Sequence, residues 1–389
     1  MIFAAFDRLR MQSLPSARAA IPMLMTLLLL RTSPCAAQTE EIDDKVVFSF
    51  ATVGDSRGDA NEADATPQDK LWQQNTRALS RILREIQAQK PNAFFFNGDM
   101  IMGYSTKRSL LNPQYAYWRG MVSALLETGT YVVPIPGNHE VQIKVPRPDG
   151  DVDKVAQPES ETVWRENMGD LIVDTNLWLR LIGRPVSFWD INDHPKIGGT
   201  DGVLSDQSQL TYSFDCGDMH FCILNTDAVG QDSHAPTAWL KGDLESAEKR
   251  GARHFFIFGH KMAFTYQYGK KHKEKGLDSF TKNRDRFWNL VETYHATYFC
   301  GHEHIYNVMQ PLQEGRAHHS WQILVGSGGS PFEAKPGEST KPNDRTYAWA
   351  LVRVHQSGKV TLESRGFDEY YHATTTLDCI QLNPPFNKN

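Results

Sequence analysis

Apolar, strand-like runs recur along the first half of the chain, and each is followed within two residues by a glycine. The first run, Val46–Val53, is rich in β-branched and aromatic residues, and Ala93–Phe96 and Tyr131–Ile135 are apolar throughout. Apolar residues at helical spacing separate these runs, over 68–89 and over Tyr115–Leu126. Alternating strands and helices indicate a mostly parallel sheet with covered faces.

The second half of the chain carries more strand-like runs in succession. A hairpin is predicted from Leu210–Asp215 and His220–Asn225, and helices from Trp239–Arg250 and Phe280–Tyr294. The other predicted strands are His254–Phe258, Thr297–Phe299, Trp321–Val325, Tyr347–Val354 and Lys359–Ser364. Because the two sets of strands need a common core, we predict an α/β (α+β) fold. In this fold, a four-layer αββα sandwich, two mixed β-sheets pack face to face and helices cover their outer faces.

The first 37 residues have the pattern of a secretory signal peptide. Three arginines precede a short apolar run, Ile21–Leu30, and small residues follow up to Ala37. A bilayer span needs about 20 apolar residues, so a membrane anchor is the weaker alternative. We therefore expect cleavage near Ala37, a secreted or periplasmic protein, and no stable membrane span in the mature chain.

The remainder is predicted to form one main domain over 42–370, followed by a C-terminal tail over 371–389. From Gln142 the chain becomes rich in proline and aspartate, and Val163–Ile182 then has helical spacing. We interpret about 142–208 as an insertion in the main fold.

The net charge argues against nucleic-acid binding, and the cysteines permit disulfides without requiring them. Signal cleavage removes four arginines and one aspartate, which changes the net charge from −5 to −8. An acidic surface repels a polyanion, so nucleic-acid binding is not expected, whereas a small phosphate substrate is compatible with a local metal charge. The four remaining cysteines are Cys216, Cys222, Cys300 and Cys379, for which export would permit disulfides. Cys216 and Cys222 are interpreted as buried thiols, and Cys300 as a packed residue at the end of a strand.

Five glycine-led motifs after predicted strands supply a consistent set of metal-binding side chains. They are Gly54-Asp55-Ser56-Arg57, Gly98-Asp99, Gly137-Asn138-His139-Glu140, Gly259-His260 and Gly301-His302-Glu303-His304. Carboxylate and amide oxygens combined with imidazole nitrogens suit Mn, Fe or Zn. His302 and His304 alternate, so on an extended segment both rings can face one cavity. Two metal ions about 3.5–4 Å apart can assist an in-line displacement at phosphorus.

This series resembles the motif pattern of the calcineurin-like metallophosphoesterase superfamily, over roughly residues 45–370. The resemblance implies a site with two divalent or trivalent metal ions, bridged by Asp99. It implies that Asn138, His260 and His302 complete the ligands of one ion. Asp55 and His304 would serve the other ion.

The resemblance also implies an activity, the hydrolysis of a small phosphate monoester or diester by a metal-bound hydroxide. His139 would act as the acid that protonates the leaving oxygen, or would stabilise charge on the phosphoryl group. Glu140 could orient His139 or could equally be a solvated carboxylate. Purple acid phosphatases have a tyrosine at the position of Met102, so a charge-transfer iron site of that kind is not expected.

Arg57 departs from the family pattern, which usually has a ligand histidine at this position. A guanidinium has no lone pair to donate to a metal. Either water, Ser56 or another side chain fills the place, or the first metal binds weakly. As a catalytic residue, Arg57 could instead hold the non-bridging oxygens of the substrate.

Two alternatives to catalysis remain open from the sequence. One is a phosphate- or metal-binding protein in which the change at Arg57 has impaired catalysis, and the other is a scaffold that binds a partner through 142–208. Substrate specificity is expected in the insertions at 142–208 and 264–285. The basic stretch 270–275 is interpreted as a solvated loop, with steering of an anionic substrate as the alternative. The glycine-rich stretch 326–330 is interpreted as a tight loop beside the site, with a phosphate cradle as the alternative.

Overall fold

The computed structural model describes residues 44–58, 66–266, 275–313, 316–317, 319–335 and 343–387. The predicted signal peptide lies outside these residues, so export stays a prediction from sequence. No helix in the described ranges has both the length and the apolar character needed to cross a bilayer.

The described strands form two large sheets and three small two-stranded ones. In chain order they are β1 (Val46–Val53), β2 (Ala93–Phe96), β3 (Tyr131–Pro134), β4 (Gln142–Pro146), β5 (Val152–Ala156), β6 (Phe188–Trp189), β7 (Tyr212–Cys216), β8 (Met219–Leu224), β9 (Asp227–Ala228), β10 (Gln231–Asp232), β11 (His254–Lys261), β12 (Thr297–Gly301), β13 (Tyr306–Met309), β14 (Leu312–Gln313), β15 (Arg316–Ala317), β16 (Gln322–Val325), β17 (Thr346–His355), β18 (Val360–Asp368) and β19 (Thr375–Gln381).

The described α-helices, in chain order, are α1 (Pro67–Trp72), α2 (Thr76–Gln89), α3 (Arg108–Glu127), α4 (Asn138–Val141), α5 (Pro158–Met168), α6 (Thr175–Ile182), α7 (Thr237–Arg250) and α8 (Thr281–Thr293). Short 3-10 helices lie at Gly169–Leu171 and Leu277–Phe280.

Both large sheets are mixed, as predicted. The first has the strand order β19-β18-β17-β1-β2-β3, in which β1, β2 and β3 are parallel to one another and β17 is antiparallel to β1. The second has the order β13-β16-β12-β11-β8-β7-β6, with β8, β11, β12 and β16 parallel. In each sheet the strands that lead into the polar motifs are parallel, so the carboxyl ends of these strands lie at one edge.

Aromatic side chains fill the space between the two sheets. Phe50 on β1 packs against Phe221, Phe256, Phe258 and Phe299 of the second sheet, with ring centroids 5.1–6.1 Å apart. All five rings are buried, and burial stabilises the fold by about 1.5–3 kcal/mol for each such side chain. The sheets therefore share one core, as the four-layer prediction requires.

Helices cover the outer faces. On the first sheet, the apolar side of α2 is buried and Glu85 accepts a hydrogen bond of 3.0 Å from the Trp349 indole on β17. On the second sheet, Phe287 of α8 packs edge-on against Tyr298 of β12, with centroids 4.9 Å apart. The predicted four-layer sandwich is confirmed.

Some element boundaries differ from the sequence prediction. The helix expected over 68–89 is two helices, because Gln73 adopts a left-handed conformation (φ +53°) and ends α1. The Asn75 side chain then accepts a hydrogen bond from the Ala78 N–H and caps α2. Similarly, the helix predicted over Val163–Ile182 is interrupted, and Asp174 caps its second part.

The segment 371–389, predicted to be a tail, contains β19, which pairs antiparallel with β18 and extends the first sheet beyond residue 370. Its side chains are mostly polar and partly exposed, so the sequence lacks the apolar alternation of a half-buried strand. Cys379 on this strand is exposed, whereas Cys216, Cys222 and Cys300 are buried, as expected.

A buried charge cluster ties α7 to the hairpin of β7 and β8. The His220 ring lies 2.7 Å from the Asp215 carboxylate and 2.9 Å from that of Asp243, and Arg250 pairs with Asp215 at 2.6 Å. Burial alone would lower the pKa of His220, but the Asp243 and Asp215 carboxylates raise this pKa to about 9. The cationic ring therefore stabilises the folded state.

Replacing His220 with glutamine should flatten the pH dependence of stability. The folded pKa of about 9 exceeds the roughly 6.5 of an unfolded histidine, so the stabilisation is complete below about pH 6.5 and is lost as pH rises through 9. Urea unfolding should show that the free energy of unfolding of the wild type falls by up to about 3 kcal/mol as the pH rises through this window. The free energy of unfolding of His220→Gln should not show this decrease.

The control is His372→Gln, which removes an exposed histidine paired with Asp368 and should keep the wild-type pH dependence. Equal pH dependence in His220→Gln and the wild type would contradict the charged state assigned to this ring.

Candidate metal centre

The glycine-led motifs of both sheets meet at one edge of the sandwich. Asp55 and Asp99 follow β1 and β2, Asn138 follows β3, His260 lies on β11 and His302 follows β12. Hydrogen bonds join these loops across the two sheets, for example from His260 Nδ1–H to the Asn97 carbonyl at 2.7 Å. The structure therefore brings together side chains that are far apart in sequence.

Backbone strain is concentrated in this region. Asp55, Asp99 and His302 have φ of +59°, +54° and +75°, a conformation that costs about 1–3 kcal/mol for a residue with a Cβ. The neighbouring glycines permit close approach, since a Cβ at Gly98 would lie 2.7 Å from His260 Nδ1. A Cβ at Gly301 would collide with the Asp55 carboxylate. The strained loops direct three of the predicted ligands into one cavity.

Four side chains form a first ligand group, which we call the His260 group. His260 Nε2 lies 3.1 Å from Asn138 Oδ1, 3.1 Å from His302 Nδ1 and 3.2 Å from Asp99 Oδ1. Because His260 Nδ1–H donates to a carbonyl, Nε2 carries a lone pair in the neutral ring. Acceptor atoms therefore face one another, at spacings close to the roughly 3.3 Å between ligands of a tetrahedral zinc ion.

Three side chains form a second group, the His304 group, which consists of Asp55, Asp99 and His304. Their ligand atoms lie within 4.8 Å of one another. His304 Nδ1–H donates to the Pro331 carbonyl at 2.6 Å, which leaves Nε2 directed toward the group. Asp99 belongs to both groups, as the predicted bridging role requires.

The electrostatics of the centre favour positive charge. Burial alone would lower the pKa of His260, but the Asp99 and Asp55 carboxylates raise it to about 10. Burial raises the pKa of Asp55, whereas His139 and His260 outweigh burial at Asp99 and lower the pKa of that carboxyl. A divalent ion would replace the proton on His260, because a ligand imidazole must be deprotonated. Oxygen and imidazole ligands in this arrangement fit two metal ions.

His139 lies beside the ligands but belongs to neither group. Its backbone N–H donates to Asp99 Oδ1 at 3.1 Å, its ring Nδ1–H donates to the Met102 carbonyl at 2.6 Å, and its Nε2 lies 3.6 Å from Asp99 Oδ2. Burial lowers the pKa of His139 well below its usual range, so the neutral ring dominates in the free protein. The free atom Nε2 is the one that can exchange a proton.

Glu140 is neither an orienting partner of His139 nor a solvated carboxylate, the two alternatives considered from sequence. It is fully buried and accepts backbone N–H groups of Asp99 (2.9 Å), Gly137 (2.7 Å) and Ile101 (3.2 Å). Burial raises the pKa of Glu140 to about 7. This side chain ties the loop of Asp99 to that of Asn138, a role that depends on contacts between loops.

Tyr104 is a further residue that the sequence did not identify as part of the site. Its hydroxyl accepts a hydrogen bond of 2.6 Å from Asn138 Nδ2, which directs Asn138 Oδ1 toward His260. Its ring stacks obliquely on His139 with centroids 3.9 Å apart, and its φ is +50°. The sequence gives no signal for this left-handed backbone conformation at Tyr104.

The glycine-rich stretch 326–330 packs against the motif that carries Asp55, as predicted. Gly328 N–H donates to the Gly54 carbonyl at 2.9 Å, and Ser330 N–H donates to the Asp55 carbonyl at 2.9 Å. This loop therefore holds the backbone of one candidate ligand.

A cleft of about 390 Å³ opens onto both ligand groups and is lined by several cations. Arg57, Lys154, Lys261 and Lys275 are its basic lining residues among those described. Lys154 comes from β5 in the predicted insertion, and Lys261 pairs with Asp227 at 2.6 Å. Lys275 pairs with Glu333 at 2.7 Å, whereas the rest of the basic stretch, 270–274, lies outside the described residues. The cleft is suited to an anionic ligand.

Comparison with known proteins defines the family. The family model "Calcineurin-like phosphoesterase" matches residues 50–306, about two thirds of the chain. The chain belongs to the calcineurin-like phosphoesterase family, and this membership implies a dinuclear metal site. No curated protein matches the chain significantly in sequence.

Two solved structures are similar to this one. A purple acid phosphatase from yellow lupin (Lupinus luteus) seeds superposes with a TM-score of 0.52 at 14% identity, over 87% of this chain and 54% of that one. The chain thus spans about half the length of the lupin enzyme, and the likeness shows the fold alone. A dimetal phosphatase from Danio rerio has a TM-score of 0.43 at 11% identity, over 87% of this chain and 100% of that one.

Replacing Glu140 with glutamine should weaken metal binding by at least about tenfold, as measured by metal analysis and titration calorimetry. The substitution places an amide NH₂ where the carboxylate accepts backbone N–H groups, and so displaces the loops of Asp99 and Asn138.

The matched control is Glu161→Gln, since Glu161 is equally buried but accepts from Gln207 and the Val229 N–H, outside both ligand groups. Glu161→Gln should lose stability and keep its metal. If both variants lose metal alike, the effect is general destabilisation and the positioning role of Glu140 is wrong.

Proposed function

We propose that this protein is a metal-dependent hydrolase of phosphate esters, either monoesters or diesters. The observation that carries this proposal is the convergence of six side chains, from five separate motifs, into two ligand groups that share Asp99. These groups open onto a cleft lined by cations, which is where a phosphate would bind. Metal ions bound there would lower the pKa of a water nucleophile and neutralise charge on the phosphate.

The protein's own residues hold the substrate and assist the departing group. Arg57 faces the cleft, and its planar fork is suited to non-bridging phosphate oxygens. His139 lines the same cleft. Because its Nδ1–H donates to the Met102 carbonyl, Nε2 is the ring nitrogen that can take part in proton transfer. We assign His139 to proton transfer to the leaving oxygen, in which the negative charge of a bound phosphate offsets the effect of burial.

Hydrolysis of p-nitrophenyl phosphate and bis-p-nitrophenyl phosphate, with added Mn²⁺ or Zn²⁺, tests the proposal. Asp99→Asn should abolish turnover, because it removes the charge shared by both ligand groups. His139→Ala should lower kcat by about 10²–10⁴-fold at nearly normal metal content, since it removes a proton donor and no ligand.

Loss of metal from His139→Ala would contradict its assignment to proton transfer. A metal-loaded wild type without turnover on either ester would favour the alternative, a catalytically impaired phosphate- or metal-binding protein or a scaffold.

The insertion contributes to the cleft through Lys154, and this supports a role in substrate selection. Lys154→Ala should lower kcat/KM for the dianionic monoester by about tenfold, the effect of one charged hydrogen bond, and less for the monoanionic diester. The matched control is Lys144→Ala, because Lys144 is the direct cross-strand partner of Lys154 and, among described residues, does not line the cleft. Equal effects of the two variants would argue against a specific contact between Lys154 and the phosphate.

A further inference from the structure

We propose that the two ligand groups bind metal unequally, and that the guanidinium of Arg57 takes the place of a tightly bound ion in the His304 group. The His260 group then holds one ion tightly, and a second ion binds only weakly. This inference rests on the proposed function, because it concerns the metal content of the same site.

The first observation is a direct contact between Arg57 and a candidate ligand atom. Arg57 Nη2 lies 3.3 Å from His304 Nε2. His304 Nδ1–H already donates to the Pro331 carbonyl, so Nε2 is the lone-pair atom of the ring and accepts from the guanidinium. The same lone pair would be needed to bind a metal ion, and the two uses exclude each other.

The second observation is that Arg57 is held in this position. Its N–H donates to the Asp99 carbonyl at 3.3 Å, its carbonyl accepts from Ser330 Oγ at 3.0 Å, and its backbone forms a bridge with Gln74. The side chain is only 16% exposed, and its Nε lies 3.6 Å from Asp99 Oδ2. The guanidinium therefore lies against the Asp99 carboxylate and the His304 ring, two of the three side chains that would hold an ion in the His304 group.

The third observation is the contrast with the His260 group. That group has four ligand side chains, whereas the His304 group has three. Among the described residues, no hydrogen bond or ion pair joins a lysine or arginine to Asn138, His260 or His302, and Asp99, which both groups share, is the one member of this group that pairs with Arg57. Because the guanidinium is positively charged and lies at the His304 group, Arg57 repels a second cation there.

Metal stoichiometry tests the inference directly. The full chain is stripped with a chelator, titrated with Mn²⁺ or Zn²⁺ by calorimetry, and analysed for metal after desalting. The wild type should retain one ion per chain and bind a second at least about 100-fold more weakly. Arg57→His should retain two ions, because an imidazole replaces the cation with a further ligand.

Two further comparisons keep the test independent of how well Arg57→His folds. In the otherwise native protein, His304→Ala should keep the tight ion, whereas His260→Ala should lose it. Lys154→Ala removes a cation that lines the same cleft but forms no hydrogen bond or ion pair with a candidate metal ligand, and it should leave the metal stoichiometry unchanged.

Electron paramagnetic resonance gives an independent readout of metal pairing. The spectrum of the Mn²⁺-loaded wild type should show isolated ions, and the spectrum of Mn²⁺-loaded Arg57→His should show a spin-coupled pair.

The outcomes separate this inference from the proposed function. Two ions of similar affinity in the wild type, or loss of the tight ion from His304→Ala, would overturn the role of Arg57 while phosphate-ester hydrolysis could still be measured. A wild type that binds no ion tightly and hydrolyses neither ester would overturn the proposed function itself.

Discussion

The buried carboxylate of Asp99 is the interaction on which the rest of the site depends. One of its oxygens, Oδ1, lies 3.2 Å from His260 Nε2, whereas Oδ2 lies 3.6 Å from both His139 Nε2 and Arg57 Nε. Burying a carboxylate is costly unless its charge is compensated, and here two imidazole rings, a guanidinium and the backbone N–H of His139 lie within 3.6 Å of its oxygens. A metal ion bound at this carboxylate would add to that compensation.

Holding Asp99 in place requires strain that the core must offset. The residue has φ +54°, and the glycine before it leaves room for His260 that a Cβ would fill. The aromatic packing around Phe50 fixes the two sheets to each other, so the loops at their ends have little freedom to relax. Glu140 adds hydrogen bonds to the loop backbone, and the strained geometry is thus maintained from both sides.

The sequence predicted the sheets, and it marked the candidate ligands that the structure brings together, because both signals are local. Each motif combines an apolar run, a glycine and a polar residue within a few positions of the chain. The roles of Glu140 and Tyr104 could not be predicted, since they depend on which loops become neighbours and on a left-handed backbone at Tyr104. The same holds for Lys154, because nothing in 142–208 indicates that β5 reaches the cleft.

In the arrangement that we propose, one residue, Arg57, changes the chemistry of a ligand set that otherwise follows the family pattern. A guanidinium supplies its positive charge without a binding equilibrium, so that charge does not depend on the supply of metal. It cannot, however, lower the pKa of a water molecule as a metal ion does. If Arg57 occupies the His304 group, the task of activating water falls to the His260 group, where four ligand side chains meet. Charge neutralisation and water activation would then be divided between a side chain and an ion.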